Sequence, residues 1–222
     1  QVKYLDEAGS KIVENYTPEQ VVEMALEHDI GMLSWTYNDP VVWHEFVLET
    51  AALGQKHGIK SLYKSAFYIE EAPVDELLDV IDIFSLSLKS MDPKFYRKIT
   101  KGKLEPVLRA MEQVHNSGRA HLEVSQLLVT DMNDSEEQAR ATAKWHVENL
   151  SPDVPLHFVR FHPAFKYINV PRTPLERLHM ARRVAREEGV HHVYLGNVYE
   201  PGTADTQCSS CDHLMVRRFG LT

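Results

Sequence analysis

The sequence predicts an α/β protein with a parallel sheet that is either doubly wound or closed towards a barrel. Six short apolar runs alternate along the chain with amphipathic segments, and most of those segments carry helix start or stop residues. Strands that alternate with helices form parallel sheets through right-handed crossovers. With 222 residues, 43% of them hydrophobic, the chain can bury a substantial core in one large domain.

The helices are predicted from their caps and their apolar spacing. The first begins at Thr17-Pro18-Glu19-Gln20, a capping-box pattern with proline at the first helical position. Later helices are predicted over 40–57, 73–80, 104–115, from a cap at 133–137 to about 150, and over 174–188, with a brief helical turn around Phe95 and Tyr96. Gly58 is the predicted stop of the second helix.

The six strands are predicted over 30–35, 59–67, 81–88, 119–129, 154–161 and 191–195. No linker rich in Pro, Gly or Ser occurs before residue 199. We therefore predict one βα domain over 1–198 and a C-terminal tail over 199–222 that carries a CxxC motif.

Composition excludes several classes of protein. The formal net charge of -8 argues against a general polyanion-binding surface, so nucleic acid is not a predicted partner. No run of about 18 apolar residues and no signal-peptide pattern occurs, which predicts a cytoplasmic protein without a membrane partner. The sequence also lacks GxGxxG, GxxxxGK[ST] and GxSxG motifs, which excludes simple Rossmann, P-loop and α/β-hydrolase interpretations.

Polar residues gather at the predicted carboxyl ends of the strands, where parallel sheets hold ligands. They are Tyr37, Asn38, Asp39, Ser65, Ser87, Lys89, Ser125, Gln126, Arg160, His162 and Asn197.

Four of these residues also have a structural interpretation. Asn38 and Asp39 can simply cap the helix that Pro40 opens. Lys89 can hold a carboxylate, a ribose hydroxyl or a phosphate, or be a solvated loop lysine. His162 can bind metal or move protons, or hydrogen-bond its own loop.

The tail motif Cys208-Ser209-Ser210-Cys211 has metal-ligand spacing. A tetrahedral zinc site needs two more ligands, for which His213, His191 and His192 are candidates. Two free thiols are the alternative interpretation.

The order of these motifs resembles the radical S-adenosylmethionine (SAM) enzymes. The resemblance runs from about Thr17 to Arg218, and it is carried by Tyr37-Asn38-Asp39-Pro40, Ser87-Leu88-Lys89, Asn133-Asp134-Ser135, Arg160-Phe161-His162-Pro163, Leu195-Gly196-Asn197-Val198 and the tail CxxC. The sequence is most similar to the group related to the pyruvate formate-lyase activating enzyme, in particular the radical SAM component of the AmmeMemoRadiSam system.

This resemblance implies a TIM-like partial (βα)6 barrel with a [4Fe-4S] cluster. In the family a CxxxCxxC loop after the first strand binds the cluster, and Gln1 fits the position that follows this loop. The chain therefore resembles the family sequence without its first strand and cluster loop, and the cluster ligands are expected upstream of Gln1. Cys208 and Cys211 are too few, and at the wrong end of the fold, to replace them.

The resemblance also implies the roles of individual residues. Asn38 and Asp39, next to Tyr37, would lie near the SAM amine, and Lys89 with Ser87 near its carboxylate or ribose. Ser65 falls in a segment where the family has Thr-Asn-Gly-Tyr, while Gln126 and His162 would line the pocket. Two departures stand out: Asp39 is shorter than the usual Glu, and Ser87 replaces an Asp.

The implied activity is reductive cleavage of SAM, followed by hydrogen abstraction from a protein or small-molecule substrate. A reducing partner such as flavodoxin or ferredoxin would supply the electron. One alternative is a degenerate, non-catalytic barrel that acts as a binding or assembly module. Another is a zinc-dependent barrel hydrolase that uses His162 and Asp39.

Overall fold

The computed structural model describes residues 15–218 and contains one six-stranded parallel sheet. Its strand order, β1-β2-β3-β4-β5-β6, is the order along the chain. The strands are β1 (Met32–Trp35), β2 (Lys60–Ser65), β3 (Ile83–Ser87), β4 (His121–Leu128), β5 (Leu156–Arg160) and β6 (Val193–Gly196). All six predicted strands are confirmed, each shorter than its apolar run.

Six helices of eight residues or more occur in the described part of the chain. They are α1 (Pro18–Glu27), α2 (His44–Lys56), α3 (Glu71–Leu78), α4 (Glu105–Ser117), α5 (Glu136–Asn149) and α6 (Leu175–Glu187). Shorter helical segments cover Pro40–Trp43, Pro93–Phe95, Tyr96–Thr100 and Phe165–Tyr167. The predicted partial βα barrel is confirmed as a parallel sheet with alternating helices.

Local capping agrees with the sequence at the first helix and differs at the second. At α1 the capping box is complete, because Thr17 Oγ1 accepts from Gln20 N at 3.3 Å and Gln20 Oε1 accepts from Thr17 N at 2.9 Å. The helix predicted from Pro40 instead begins with a 3-10 turn, and α2 starts only at His44. The extended φ of Trp43, -139°, separates the two segments.

Strand residues alternate between two faces of the sheet. One face packs against the helices and forms the core, with Tyr63, Phe84, Leu86, Val124 and Phe158 fully buried. We call the other the open face; it carries Lys64, Ser85, Ser87, Glu123, Ser125, His157 and Tyr194. Lys64, Glu123 and His157 therefore lie opposite the helices, whereas Ser61, Ser65 and Gln126 lie on the helix face.

The tail forms an antiparallel hairpin of β7 (Thr206–Gln207) and β8 (Leu214–Val216). It is hydrogen-bonded to β6 through Leu195 N and Thr203 O at 2.9 Å, and through Tyr194 Oη and Thr206 Oγ1 at 2.9 Å. The domain division at residue 198 stays a prediction, and the expectation about Gln1 falls outside the described residues. No helix within residues 15–218 has the length and apolar character to cross a membrane.

Candidate active site at the strand ends

Asp39 lies in the loop after β1, and three donors hold its carboxylate. Oδ1 accepts from Ser65 Oγ at 2.6 Å and from Val41 N at 3.3 Å, while Oδ2 accepts from Ala66 N at 2.8 Å. The capping interpretation is thus confirmed for Asp39, which caps the 3-10 turn at Pro40–Trp43, and the same carboxylate also ties this loop to the end of β2. A carboxylate has about four acceptor positions, so one stays open for a further donor.

The remainder of this loop faces solvent. The Tyr37 side chain is 81% exposed, and the exposed Asn38 side chain has no hydrogen bond to a described residue. Ser65 is buried and supports Asp39, because its Oγ also accepts from Phe67 N at 2.8 Å. Asn38 is therefore available to a ligand, whereas Ser65 positions its neighbours.

Lys89 follows β3, and its backbone is fixed on both sides. Its N–H donates to Tyr96 Oη at 3.1 Å, and its carbonyl accepts from Asn133 Nδ2 at 2.6 Å. No described residue forms a hydrogen bond or ion pair with the Lys89 ammonium. Burial lowers the pKa of Lys89, and the Asp39 carboxylate opposes this shift. Two predicted site residues, Asp39 and Lys89, thus lie close enough for the carboxylate to favour the charged form of the lysine.

Two cavities adjoin these groups, and residues on the open face of β4 line both: Leu127 the first and Glu123 the second. An apolar one of about 210 Å³ lies beside Lys89 and is lined also by Phe95, Ile99, Thr100, Leu127, Val129, Met132, Phe161 and Tyr167. A larger one of about 530 Å³ lies between β4, β5, β6 and the tail, with Glu123, His157, Tyr194 and Arg218 in its wall.

Lys64 is a polar group of the open face to which the sequence analysis gave no role. Its Nζ donates to Ser125 Oγ at 2.7 Å and to Ser85 Oγ at 3.3 Å. Burial and, to a smaller extent, the Lys89 ammonium lower the pKa of Lys64 to about 8, while the Glu123 carboxylate opposes the shift. Ser87, a predicted site residue, joins this group through its Oγ, 3.3 Å from Ser125 Oγ.

Glu123 connects two histidines on the same face. Its Oε1 lies 3.1 Å from His121 Nε2, and its Oε2 lies 2.9 Å from His157 Nε2. These bonds lower the pKa of Glu123, and the bond to Glu123 raises that of His121. The His157 ring lies against the Tyr194 ring, with centroids 5.0 Å apart. The alternating pattern of β4 was the only sequence signal for this cluster.

Two predicted residues lie apart from this group. Gln126 follows Ser125 on β4 and therefore lies on the helix face, with Val124 and Leu128. Its side chain is fully buried, and neither its amide nitrogen nor its amide oxygen forms a hydrogen bond with a described residue. His162 is exposed after β5 and has no hydrogen bond within residues 15–218. Their predicted place in the pocket stays a prediction, and for Gln126 the strand alternation points the other way.

The tail cysteines lie at the hairpin turn, far from these groups in sequence. Cys208 and Cys211 are free thiols, and the backbone N–H groups of Ser210 and Cys211 donate to the Cys208 sulfur, which lowers the pKa of that thiol. Among the described residues no group of three His, Cys, Asp or Glu side chains could hold a metal ion. The predicted zinc site gains no support from this geometry.

A [4Fe-4S] cluster does not fit the residues of this chain. The sequence has two cysteines, both in the tail hairpin. A [4Fe-4S] cluster is coordinated by three or four cysteine thiolates that lie close together. The rim formed by Asn38, Asp39 and Lys89 does fit SAM, which carries an amine, a carboxylate and an adenine ring.

A parallel sheet with alternating helices and a polar rim at its strand ends defines a partial βα barrel. Residues 6–146 match the family model for the radical SAM superfamily. The chain belongs to the radical SAM superfamily, and membership implies SAM and a [4Fe-4S] cluster as cofactors.

Similar proteins agree with this assignment. An uncharacterized protein of Methanocaldococcus jannaschii, MJ0808, is 35% identical over 203 residues, which cover 91% of this chain and 60% of that protein. This chain thus spans less than two thirds of that relative.

Solved structures show the same fold. A domain of the pyruvate-formate lyase-activating enzyme from Bacteroides vulgatus ATCC 8482 superposes with a TM-score of 0.66 at 15% identity, covering 75% of this chain and 99% of that one. Streptococcus suis SuiB bound to S-adenosylmethionine gives 0.67 at 13% identity, covering 86% and 46%. SuiB bound to its precursor peptide SuiA gives 0.66 at 12% identity, covering 86% and 45%.

Proposed function

We propose that this chain is the SAM-binding barrel of a radical SAM enzyme of the activating-enzyme type. The observation that carries the proposal is the position of Lys89. Its ammonium has no described partner, it borders an apolar cavity of about 210 Å³, and it lies within the field of Asp39. An apolar slot beside a cation suits a ligand that joins a planar base to a carboxylate.

In this arrangement the rim binds the polar end of SAM. Asn38 and the open acceptor position of Asp39 receive the amine, and Lys89 donates to the carboxylate or to the ribose. Ser87, which replaces the Asp of the family, offers a hydroxyl instead of a carboxylate, and this hydroxyl lies 3.3 Å from Ser125 Oγ. The adenine would pack against Leu127, Met132 and Phe161. The two tail cysteines are not part of this arrangement, so it supplies SAM binding and no ligand for a cluster.

For the substrate we propose a chemical class. Hydrogen abstraction from a protein or small-molecule substrate, with a reducing partner such as flavodoxin or ferredoxin, accords with the superfamily. SuiB, a protein of the same fold, is bound to a precursor peptide in one structure. The cavity of about 530 Å³ on the open face offers space for a substrate segment. Release of 5′-deoxyadenosine from SAM by the full gene product, under anaerobic reducing conditions, tests this activity.

Binding of S-adenosylhomocysteine, measured by isothermal titration calorimetry, tests the SAM site directly. Lys89→Met should weaken binding by about 10- to 100-fold, the usual effect of losing one charged hydrogen bond. Lys60→Met is the matched control, because Lys60 lies on β2 and is 63% exposed in an ion pair with Asp82. The proposal fails if the wild-type chain shows no saturable binding, or if both variants bind alike.

A non-catalytic binding module is the second candidate, and one observation favours it. Three of the acceptor positions of Asp39 serve the fold, through Ser65, Val41 and Ala66. With these three hydrogen bonds Asp39 holds the loop after β1 in place even when no ligand is bound. Absence of S-adenosylhomocysteine binding in a stably folded chain would favour the module.

A further inference from the structure

Lys64 lies on the open face of β2 and contacts hydroxyl groups on the next two strands, β3 and β4. Its register partner on β3 is Ser85, and Ser125 lies on β4. The ammonium donates to Ser125 Oγ at 2.7 Å and to Ser85 Oγ at 3.3 Å. An ammonium has three N–H donors, so one is left without a described partner.

The serine hydroxyls around Lys64 differ in what they can still donate. Ser125 Oγ donates to the carbonyl of Leu86 at 3.3 Å. Ser85 Oγ accepts from Lys64, and its own hydrogen has no described acceptor. Lys64 and Ser85 are register partners on neighbouring strands. One N–H of the Lys64 ammonium and the O–H of Ser85 therefore lie side by side without a described acceptor.

The charges nearby leave this ammonium without a direct counter-ion. Lys89 repels it, and the carboxylate of Glu123 is already engaged by His121 and His157. No described acidic group lies within 4 Å of Lys64 Nζ. Two half-buried cations on one sheet face are costly unless an anion joins them.

We propose that Lys64 and Ser85 form an oxyanion subsite, which binds a carboxylate or phosphate group of a ligand held on the open face. The subsite deepens the proposed function and rests on it for the identity of the ligand, which is either SAM itself or an anionic substrate. Phosphate and carboxylate oxygens accept from an ammonium and a hydroxyl together, and their charge offsets the Lys64–Lys89 repulsion.

Nuclear magnetic resonance of the full 222-residue chain, with lysines labelled at Cε, tests the subsite. Lys64 is assigned by its loss in Lys64→Met, and the pH titration of each lysine is followed. An oxyanion bound at Lys64 should move its titration midpoint upward by roughly 0.5–1 pH unit, because a nearby negative charge favours the ammonium. Lys60, on the same strand but exposed, should stay unchanged.

Three probes distinguish the sources of the anion, and sodium chloride at equal ionic strength corrects for screening. If S-adenosylhomocysteine moves the Lys64 midpoint and 5′-methylthioadenosine, which lacks the carboxylate, does not, the anion is the amino-acid carboxylate of SAM. If inorganic phosphate moves it even in chain saturated with S-adenosylhomocysteine, the anion belongs to the substrate.

The result that overturns the subsite is a Lys64 midpoint that neither phosphate nor S-adenosylhomocysteine moves beyond the sodium chloride control. Failure of the SAM proposal looks different. In that case calorimetry shows no S-adenosylhomocysteine binding, while phosphate still moves the Lys64 midpoint. Ser85→Ala gives a second check, since it should reduce the shift caused by phosphate without removing the ammonium.

Discussion

Ser65 Oγ donates to Asp39 Oδ1 at 2.6 Å and so joins the end of β2 to the loop after β1. This hydrogen bond is charged and half-buried, a class that contributes more to stability than a neutral one. The loop that presents Asn38 to solvent is therefore held by the adjacent strand, and the position of the rim depends on this pair.

The Asp39–Ser65 pair predicts coupled effects on stability. Asp39→Ala should lower the free energy of unfolding by about 2–4 kcal/mol, because it leaves Ala66 N and Val41 N without an acceptor. Ser65→Ala should cost about 1–2 kcal/mol. Urea unfolding of both single variants and the double variant gives the coupling energy, expected at about 0.5–3 kcal/mol. Strictly additive effects would show that the contact contributes nothing.

Gln126 gives a test of which face of β4 serves the ligand. Its buried amide has no described partner, so Gln126→Leu should leave the free energy of unfolding unchanged or raise it by about 1 kcal/mol. We also expect unchanged affinity for S-adenosylhomocysteine. A tenfold loss of affinity would instead place this side chain at the ligand.

Gln138→Leu is the matched control for Gln126. Gln138 Oε1 accepts from Ser90 Oγ at 3.0 Å, and Ser90 is fully buried. Removing this acceptor should lower stability by about 1–3 kcal/mol, since a buried hydroxyl loses its partner. Equal effects of the two substitutions would contradict the assignment of Gln126 to an unpartnered core position.

The sequence predicted the strands because their core residues repeat every second position. Tyr63, Phe84 and Phe158 are fully buried on the helix face, and this burial produces the apolar runs. Adjacent residues on a strand face opposite ways, so Ser125 and Gln126 lie on different faces of β4. Gln126 was predicted with the rim residues because it stands near the end of the same strand.

Contacts between distant strands were beyond sequence reasoning. Lys64 and Ser125 are 61 residues apart, and their contact depends on the register of β2, β3 and β4. Nothing in either local segment indicates which partner an ammonium will meet. Asp39 was identified because proline and a polar cluster mark a helix start, which is a local signal.

Stability should depend on pH through Glu123. Its pKa is lowered from 4.5, so its contribution is present above pH 4.5 and is lost as the pH falls below that value. The pKa of His121 is raised from 6.5, so its contribution is complete below pH 6.5 and is lost as the pH rises through the raised value. The two windows overlap between pH 4.5 and 6.5.

Glu123→Gln should therefore lower stability most between pH 4.5 and 6.5, by about 1–2 kcal/mol after allowance for solvent screening. Urea unfolding at several values between pH 3 and 8 measures the difference from wild type. Glu137→Gln, an exposed change on α5, is the control and should give a curve parallel to wild type. A constant difference for Glu123→Gln across this range would contradict the prediction.

The two tail thiols should react at different rates, with Cys208 the faster. Backbone N–H groups of Ser210 and Cys211 donate to the Cys208 sulfur and lower the pKa of its thiol, which raises the thiolate fraction. Exposure alone predicts the opposite order, because Cys211 is exposed and Cys208 is only partly so. Alkylation by iodoacetamide at pH 7, followed by peptide mass spectrometry, should label Cys208 several-fold faster. In urea the two rates should converge, since the hairpin that supplies the donors is lost; faster labelling of Cys211 in the folded chain would refute this account of the turn.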